Sequence, residues 1–121
     1  NNKNDLCLRN EQVAPVKYFA QKLVSAKLFR GVDWTKTGGF PTGVTIVGAA
    51  VSVAVHPLSE VIDPNPSAII FGSPVFDDYR IAVVLIGGVP GCRYVITFTP
   101  TLSDGQIDPE QVSVMVTDLQ N

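Results

Sequence analysis

The chain has 121 residues, a mass of 13.0 kDa and a formal net charge of -2, and this length predicts one domain. Apolar residues make up 45% of the sequence and charged residues only 17%, which excludes a disordered body. The acidic balance argues against a nucleic-acid surface, and prolines interrupt every long apolar stretch, which argues against a membrane span.

The N-terminal residues are interpreted as an arm over residues 1–25 that precedes a domain over residues 26–121. Residues 1–12 are polar and lack the apolar stretch of a signal peptide. Such a segment is either a bare tail or an arm that becomes ordered on a neighbouring subunit. Leu6 and Leu8 would be the apolar contacts of the arm.

A short helix, or an irregular arm leading to a strand, is the favoured interpretation of residues 14–29. Pro15 suits a first helical turn, and Tyr18, Phe19 and Leu23 recur near helical spacing. Two extended pieces are the alternative.

The first half of the domain alternates predicted strands with turn signals. Residues 28–35 form the first strand, which ends at Trp34. Residues 44–55 form two strands or one bent strand, because the parity of the valines switches across Gly48-Ala49, as a β-bulge or a sandwich corner produces. A short strand is predicted over residues 68–71, and loops over residues 37–43, 63–66 and 74–78.

The second half predicts three strands joined by two turns, an edge β-meander. Residues 80–86 form an unbroken apolar run after an arginine, which favours a strand buried on both faces. Residues 92–99 and 111–117 alternate, so each should bury one face. Glycines in residues 87–91 and 103–105 mark the two turns.

These patterns predict an all-β fold, an immunoglobulin-like (Greek-key) β-sandwich of about seven strands with an N-terminal arm. The sequence lacks a Cys–Trp–Cys spacing, which excludes an antibody-type domain. We assign structural roles to Trp34 as a core residue, to Gly91 and Gly105 in turns, and to Tyr94, whose hydroxyl should bond nearby backbone.

A search for reactive groups predicts no catalytic residue, metal site or cofactor. His56 is the single histidine, and no G-x-S-x-G elbow accompanies it. The acidic residues Asp77, Asp78 and Asp104 do not follow an EF-hand pattern and suit plain turns.

The two cysteines, Cys7 and Cys92, lie in a polar segment and beside a turn. A disulfide between them is one interpretation. Two free thiols in a reducing compartment are the favoured one.

Several pieces of the sequence resemble small bacteriophage fibre–tail adaptor or fibre-like virion proteins. The resemblance covers residues 28–117, and its strongest element is the hairpin-like stretch LIGGVPGCRYVI at residues 85–96, followed by LSDG at residues 102–105. VDWT at residues 32–35, Thr45-Ile46 and SVMV at residues 113–116 match further strands. The resemblance implies a non-enzymatic virion component with an immunoglobulin-like fold.

The leading functional hypothesis is a structural protein of a tailed bacteriophage, an adaptor that joins tail or head–tail components and fibres. It would be assembled in the bacterial cytoplasm and be present in several symmetric copies. Its partners would be tail, portal or fibre subunits, with no nucleic acid or membrane. Contacts would come from free sheet edges and from apolar residues of the arm and loops, namely Leu6, Leu8, Tyr18, Phe19, Phe40, Val75 and Phe76.

Three alternatives remain open at this point. The first is a capsid decoration protein. The second is a carbohydrate or host-surface recognition module, which requires exposure of Trp34, Tyr79 or Phe40 beside polar groups. The third is a metal- or carboxylate-dependent hydrolase.

Overall fold

The computed structural model describes residues 17–18, 21–37 and 39–118, and this part of the chain is all-β, as predicted. It contains eight strands and two 3₁₀ segments, at Trp34–Thr37 and Pro66–Ile69. The strands are β1 (Lys17–Tyr18), β2 (Lys22–Leu23), β3 (Leu28–Asp33), β4 (Ile46–Val55), β5 (Ile70–Phe76), β6 (Arg80–Leu85), β7 (Arg93–Leu102) and β8 (Glu110–Thr117).

The strands form two sheets. The first sheet has the order β1-β8-β7-β4, with β2 also pairing with β8, and the second has the order β3-β6-β5. Strands β1 and β2 run parallel to β8, whereas all other pairs are antiparallel. The two-sheet β-sandwich is therefore confirmed, while the immunoglobulin-like Greek key stays a prediction.

The core is centred on the hairpin of β7 and β8. Tyr94, Ile96 and Phe98 of β7 are fully buried, and so is every second residue of β8 from Val112 to Val116. Alternate side chains of a strand point to opposite faces, so these parities follow from the sequence pattern. The predicted inner faces of both strands are confirmed.

Two predictions about β6 are wrong. The strand is not buried on both faces, because Ile81, Val83 and Leu85 are buried while Ala82 and Val84 are partly exposed. Nor does β6 belong to a meander with β7. It pairs with β3 and β5, so residues 87–91 carry the chain from one sheet to the other.

The crossing between the sheets depends on glycine. Gly88 has a φ of 102°, and a Cβ on it would lie 2.7 Å from Cγ2 of Val116. Any larger residue would be strained and would press against β8. A glycine-rich turn of this length suits a hairpin as well as a crossing, which explains the incorrect meander.

Strand β4 confirms the predicted irregularity near Gly48. It is one strand whose pairing with β7 shifts between Ile46 and Gly48, as a β-bulge does. In the sequence, the apolar residues change from even to odd positions across Gly48, and this change indicates the extra residue.

The remaining boundaries also differ from the predictions. Trp34 follows β3 in a 3₁₀ segment instead of ending a strand, and Pro66–Ile69 is a 3₁₀ segment where a strand was expected to begin. Strand β5 continues through Pro74, within a predicted loop. The pairing of β5 with β6 is interrupted between Phe71 and Val75, so Pro74 sits where the edge strand needs no ladder hydrogen bond.

The predicted helix over residues 14–29 is wrong in its described part, where β1 and β2 lie along β8. Lys22 explains why this segment is extended. Its side chain is 1% exposed, and Nζ donates to the carbonyl oxygens of Leu23 and Gly87, each at 2.8 Å. Burial lowers the pKa of the Lys22 ammonium group. The boundary between arm and domain at residue 25 stays a prediction.

Candidate interaction surface

The outer face of the three-stranded sheet carries a row of large apolar side chains. Phe29 of β3 lies opposite Val84 of β6, which in turn lies opposite Phe71 of β5. Residues directly opposite one another in a sheet share a face, and this is the face turned away from the buried Val83 and Leu85. Phe29 is 69% exposed and Phe71 is 52% exposed.

A second row lies beside the first. Val75, which is 58% exposed, is opposite Ala82, and Ala82 is opposite Gly31. A Cβ on Gly31 would lie 2.2 Å from the carbonyl oxygen of Ile81 and 2.9 Å from Cα of Ala82. This close approach of β3 to β6 keeps the middle of the face low and flat. We call Phe29, Phe71, Val75, Ala82 and Val84 the apolar face.

Charged groups border the apolar face. The ammonium of Lys27 lies 4.4 Å from the centroid of the Phe71 ring, in a cation–π contact. At the other end, Arg80 forms a salt bridge with Asp77. The hydrogen bond from the Arg80 side chain lowers the pKa of Asp77. The face is therefore an apolar centre with a charged border, which is the usual composition of a protein interface.

The loop residues predicted to bind partners differ in accessibility. Phe76 is exposed at the end of β5 and, with Val75, Ala82 and the Asp77–Arg80 pair, lines a shallow hollow beside the apolar face. Phe40 is half-buried. Its ring centroid lies 6.2 Å from that of Trp34 and 6.1 Å from that of Tyr79, so it packs in an aromatic cluster.

Four predicted contacts of the arm are not visible as side chains. Leu6, Leu8 and Phe19 lie outside the described residues, and only the backbone of Tyr18, in β1, is described. Their partner-binding role stays a prediction.

Sequence reasoning missed Phe29, Phe71 and Val84. The parity of Phe29, opposite to that of the buried Val32, was the one local signal that it points outward. The three residues are far apart in sequence and meet only through the register of β3, β6 and β5. Without that register, an outward phenylalanine is one exposed residue instead of part of a surface.

The residues assigned structural roles lie in buried or turn positions. Trp34 is 1% exposed. The hydroxyl of Tyr94 accepts a hydrogen bond from the N–H of Val89 at 2.8 Å and donates to Oδ2 of Asp63 at 2.7 Å. Burial raises the pKa of the Tyr94 phenol.

The two glycines of this set occupy turns with positive φ. Gly91, with a φ of 85°, lies in the crossing between the sheets, and a Cβ on it would be 3.2 Å from Cγ2 of Val61. Gly105, with a φ of 91°, lies in the β7–β8 turn and donates its N–H to the carbonyl oxygen of Leu102 at 2.9 Å.

The described residues contain no group of three or more His, Cys, Asp or Glu side chains that could hold a metal ion. Nδ1 of His56 accepts a hydrogen bond from the N–H of Leu58 at 3.0 Å. Cys92 is a buried free thiol, whereas Cys7 lies outside the described residues. No helix in the described ranges is long and apolar enough to span a membrane.

The aromatic residues named for a recognition module are divided by the structure. Trp34 is buried and Phe40 is half-buried, while Tyr79 is 39% exposed. The nearby carboxylates have partners within the protein: Asp33 accepts from the hydroxyl of Thr35 at 2.6 Å, and Asp77 bonds Arg80. This arrangement leaves Tyr79 as the one accessible stacking ring of the three.

Comparison with known proteins identifies the family of the chain. No curated protein matches it. The family model described as podophage GP4 fiber-tail adaptor protein gp77 matches residues 22–115, which include all of β2 to β7 and most of β8. This match confirms the resemblance noted in the sequence, and the chain therefore belongs to the podophage GP4 fiber-tail adaptor gp77 family.

Proposed function

We propose that the protein is a non-enzymatic structural adaptor of a podophage virion, which joins a fibre to the tail by protein–protein contact. The family match supports the adaptor role. The apolar face is the observation that carries the contact, because two phenylalanines and two valines share one side of a three-stranded sheet.

The energetics of the apolar face favour a partner. Apolar surface left in water costs about 25 cal/mol per Å², and the exposed rings of Phe29 and Phe71 supply much of it. Contiguous exposed apolar patches on small proteins typically mark interaction sites. The core of the chain cannot cover these side chains, because they lie on the outer side of the sheet.

The chemistry of the border indicates the kind of partner. The matching surface should present aromatic or aliphatic side chains at its centre, with an acidic group near Lys27 and polar groups near Asp77 and Arg80. A fibre or tail subunit with such a patch would bury the two phenylalanine rings as the central contacts.

The N-terminal arm is proposed as a second contact. Strands β1 and β2 pair with β8, so the sixteen residues before Lys17 are tethered to one sheet edge. An arm of this length reaches roughly 50 Å when extended, far enough to contact a neighbouring subunit in a symmetric assembly. Leu6 and Leu8 are its proposed anchors.

Virions carrying the double variant Phe29→Ser/Phe71→Ser test the proposal. We expect assembled tails that lack most of their fibres, counted by electron microscopy, while the isolated variant melts within a few degrees of the wild type. The matched control is Leu58→Ser/Ile107→Ser, which removes two apolar side chains that are somewhat more exposed and lie away from the apolar face. Normal fibre occupancy in the Phe29→Ser/Phe71→Ser virions would refute the role of this face.

A further inference from the structure

Strand β4 forms one edge of the first sheet and is paired on one side only. It is ten residues long and pairs with β7, and no strand in the described part of the chain is hydrogen bonded along its other side. Strand β5 and the Pro66–Ile69 segment pack near β4 without pairing with it, and the N–H of Ile46, at the start of β4, donates to the carbonyl oxygen of Asp78. An unpaired edge presents a row of backbone donors and acceptors to solvent.

The hydrogen-bond pattern identifies the residues that face outward. The N–H of His56 donates to the carbonyl oxygen of Arg93 at 2.8 Å, so this is a hydrogen-bonded pair. Such pairs alternate along an antiparallel ladder, which directs the backbone groups of Ala50, Ser52 and Ala54 toward β7. The backbone groups of the residues in between point to the free edge, and these are Ala49, Val51, Val53 and Val55.

The other sheet edges carry features that block pairing. The edge of β8 is occupied by β1 and β2. Strand β5 contains Pro74 and an interrupted register, and β3 is short and contains Arg30 and Asp33. Proline, irregularity and charge are the usual protections of exposed edges. From Ala49 to Val55, β4 has none of them.

The side chains of β4 suit pairing with an identical strand. Val51, Val53 and Val55 face the core and stay partly exposed at the margin of the sandwich. Ala50, Ser52 and Ala54 are small and exposed on the outer face. The strand carries no charge, so two copies can meet without placing like charges opposite one another.

We propose that the protein self-associates by antiparallel pairing of β4 with β4 of a second copy. Centring the two-fold axis on Ser52 places Val51 opposite Val53 and Ala50 opposite Ala54. All four outward residues of each copy then form hydrogen-bonded pairs, giving about eight inter-strand bonds. The valines remain on the inner side, and the first sheets of both copies merge into one continuous sheet. The β4 edge is a different surface from the apolar face, so its pairing does not depend on the proposed function.

Sedimentation velocity of the full chain over a range of micromolar concentrations tests the pairing. We expect a reversible monomer–dimer equilibrium in the wild type. Ser52→Lys, which places two ammonium groups opposite one another at the centre, should raise the dissociation constant by about ten-fold or more. Thr99→Lys is the matched control, because it adds the same charge to the same outer face on the interior strand β7 and should leave the dimer intact.

Residue-resolved amide exchange separates edge pairing from any other self-association. The amides of Val51, Val53 and Val55 should exchange more slowly as the concentration rises, whereas those of Ala50, Ser52 and Ala54 should be slow at every concentration. A wild type that stays monomeric overturns the proposal. A dimer that persists in Ser52→Lys, or that leaves the three valine amides unprotected, overturns it as well.

Discussion

Replacing Tyr94 by phenylalanine tests how the crossing between the sheets is held. The hydroxyl of Tyr94 is the acceptor for the N–H of Val89 and the donor to Asp63, so it links residues 87–91 to the loop that precedes β5. The ring itself is fully buried, and Tyr94→Phe keeps its packing. The variant therefore removes two hydrogen bonds with little change in shape.

The expected cost follows from what the variant leaves behind. The N–H of Val89 loses the hydroxyl as its acceptor, and Asp63 loses a donor to its carboxylate. An unsatisfied buried polar group costs about 1–3 kcal/mol, and a hydrogen bond to a charged acceptor contributes about 1.5–3 kcal/mol. Because Asp63 is half-buried and can recruit water, we expect a loss of about 2–3 kcal/mol in the free energy of unfolding.

Urea unfolding at neutral pH, followed by tryptophan fluorescence of the buried Trp34, is the assay. The matched control is Tyr79→Phe, which removes a hydroxyl from a partly exposed ring and should change stability by less than about 0.5 kcal/mol. An equal, small effect of both variants would refute the view that the Tyr94 hydroxyl supports the crossing. The double variant with Asp63→Asn should cost less than the sum of the two single changes, because they share one hydrogen bond.

Three further outcomes follow from the same structure. Folding raises the pKa of Tyr94 above its value in the unfolded chain. The stability advantage of the wild type over Tyr94→Phe should therefore be complete below about pH 10 and should fall by about 1.4 kcal/mol per pH unit above it. Urea unfolding at a series of pH values measures this change. Lys22→Met keeps the aliphatic stem but removes the donor to three main-chain carbonyl groups, and should cost about 1–3 kcal/mol by the same assay; an unchanged midpoint would contradict this role. Gly31→Ala should destabilise by more than about 2 kcal/mol in thermal melts because its methyl group meets backbone atoms, whereas Gly48→Ala, with its nearest contact at 3.6 Å, should cost less than about 1 kcal/mol. Similar melts for both glycine variants would argue against close approach of β3 and β6.

The parts of the fold that could be predicted are those with a local cause. Alternation in β7 and β8 gives their buried faces directly, because the period of a strand is fixed by its backbone. The change of the apolar residues from even to odd positions near Gly48 likewise indicates the bulge in β4. These signals lie within a few residues of one another in the chain.

The parts that could not be predicted depend on pairing between distant segments. The apolar residues Ala82 and Val84 suggested burial on both faces of β6, yet they lie on the outer side of the sheet, where a partner instead of the core would cover them. The buried Lys22 is extended because three main-chain carbonyl groups surround its ammonium, and no periodicity of side chains encodes that arrangement. The apolar face itself arises only when β3, β5 and β6 are placed in register.

Because β1 and β2 pair with β8, they can join the first sheet only after β8 has been synthesised. Lys17 and its partner Val112 are separated by 95 residues, which a ribosome adds in roughly 5–20 s. Throughout that interval the early segment has no strand to pair with, and Gly87, one acceptor of the Lys22 ammonium group, is also added long after Lys22. A prematurely terminated chain would lack β8, and β1 and β2 would have no strand to pair with. Only finished chains can therefore complete the first sheet.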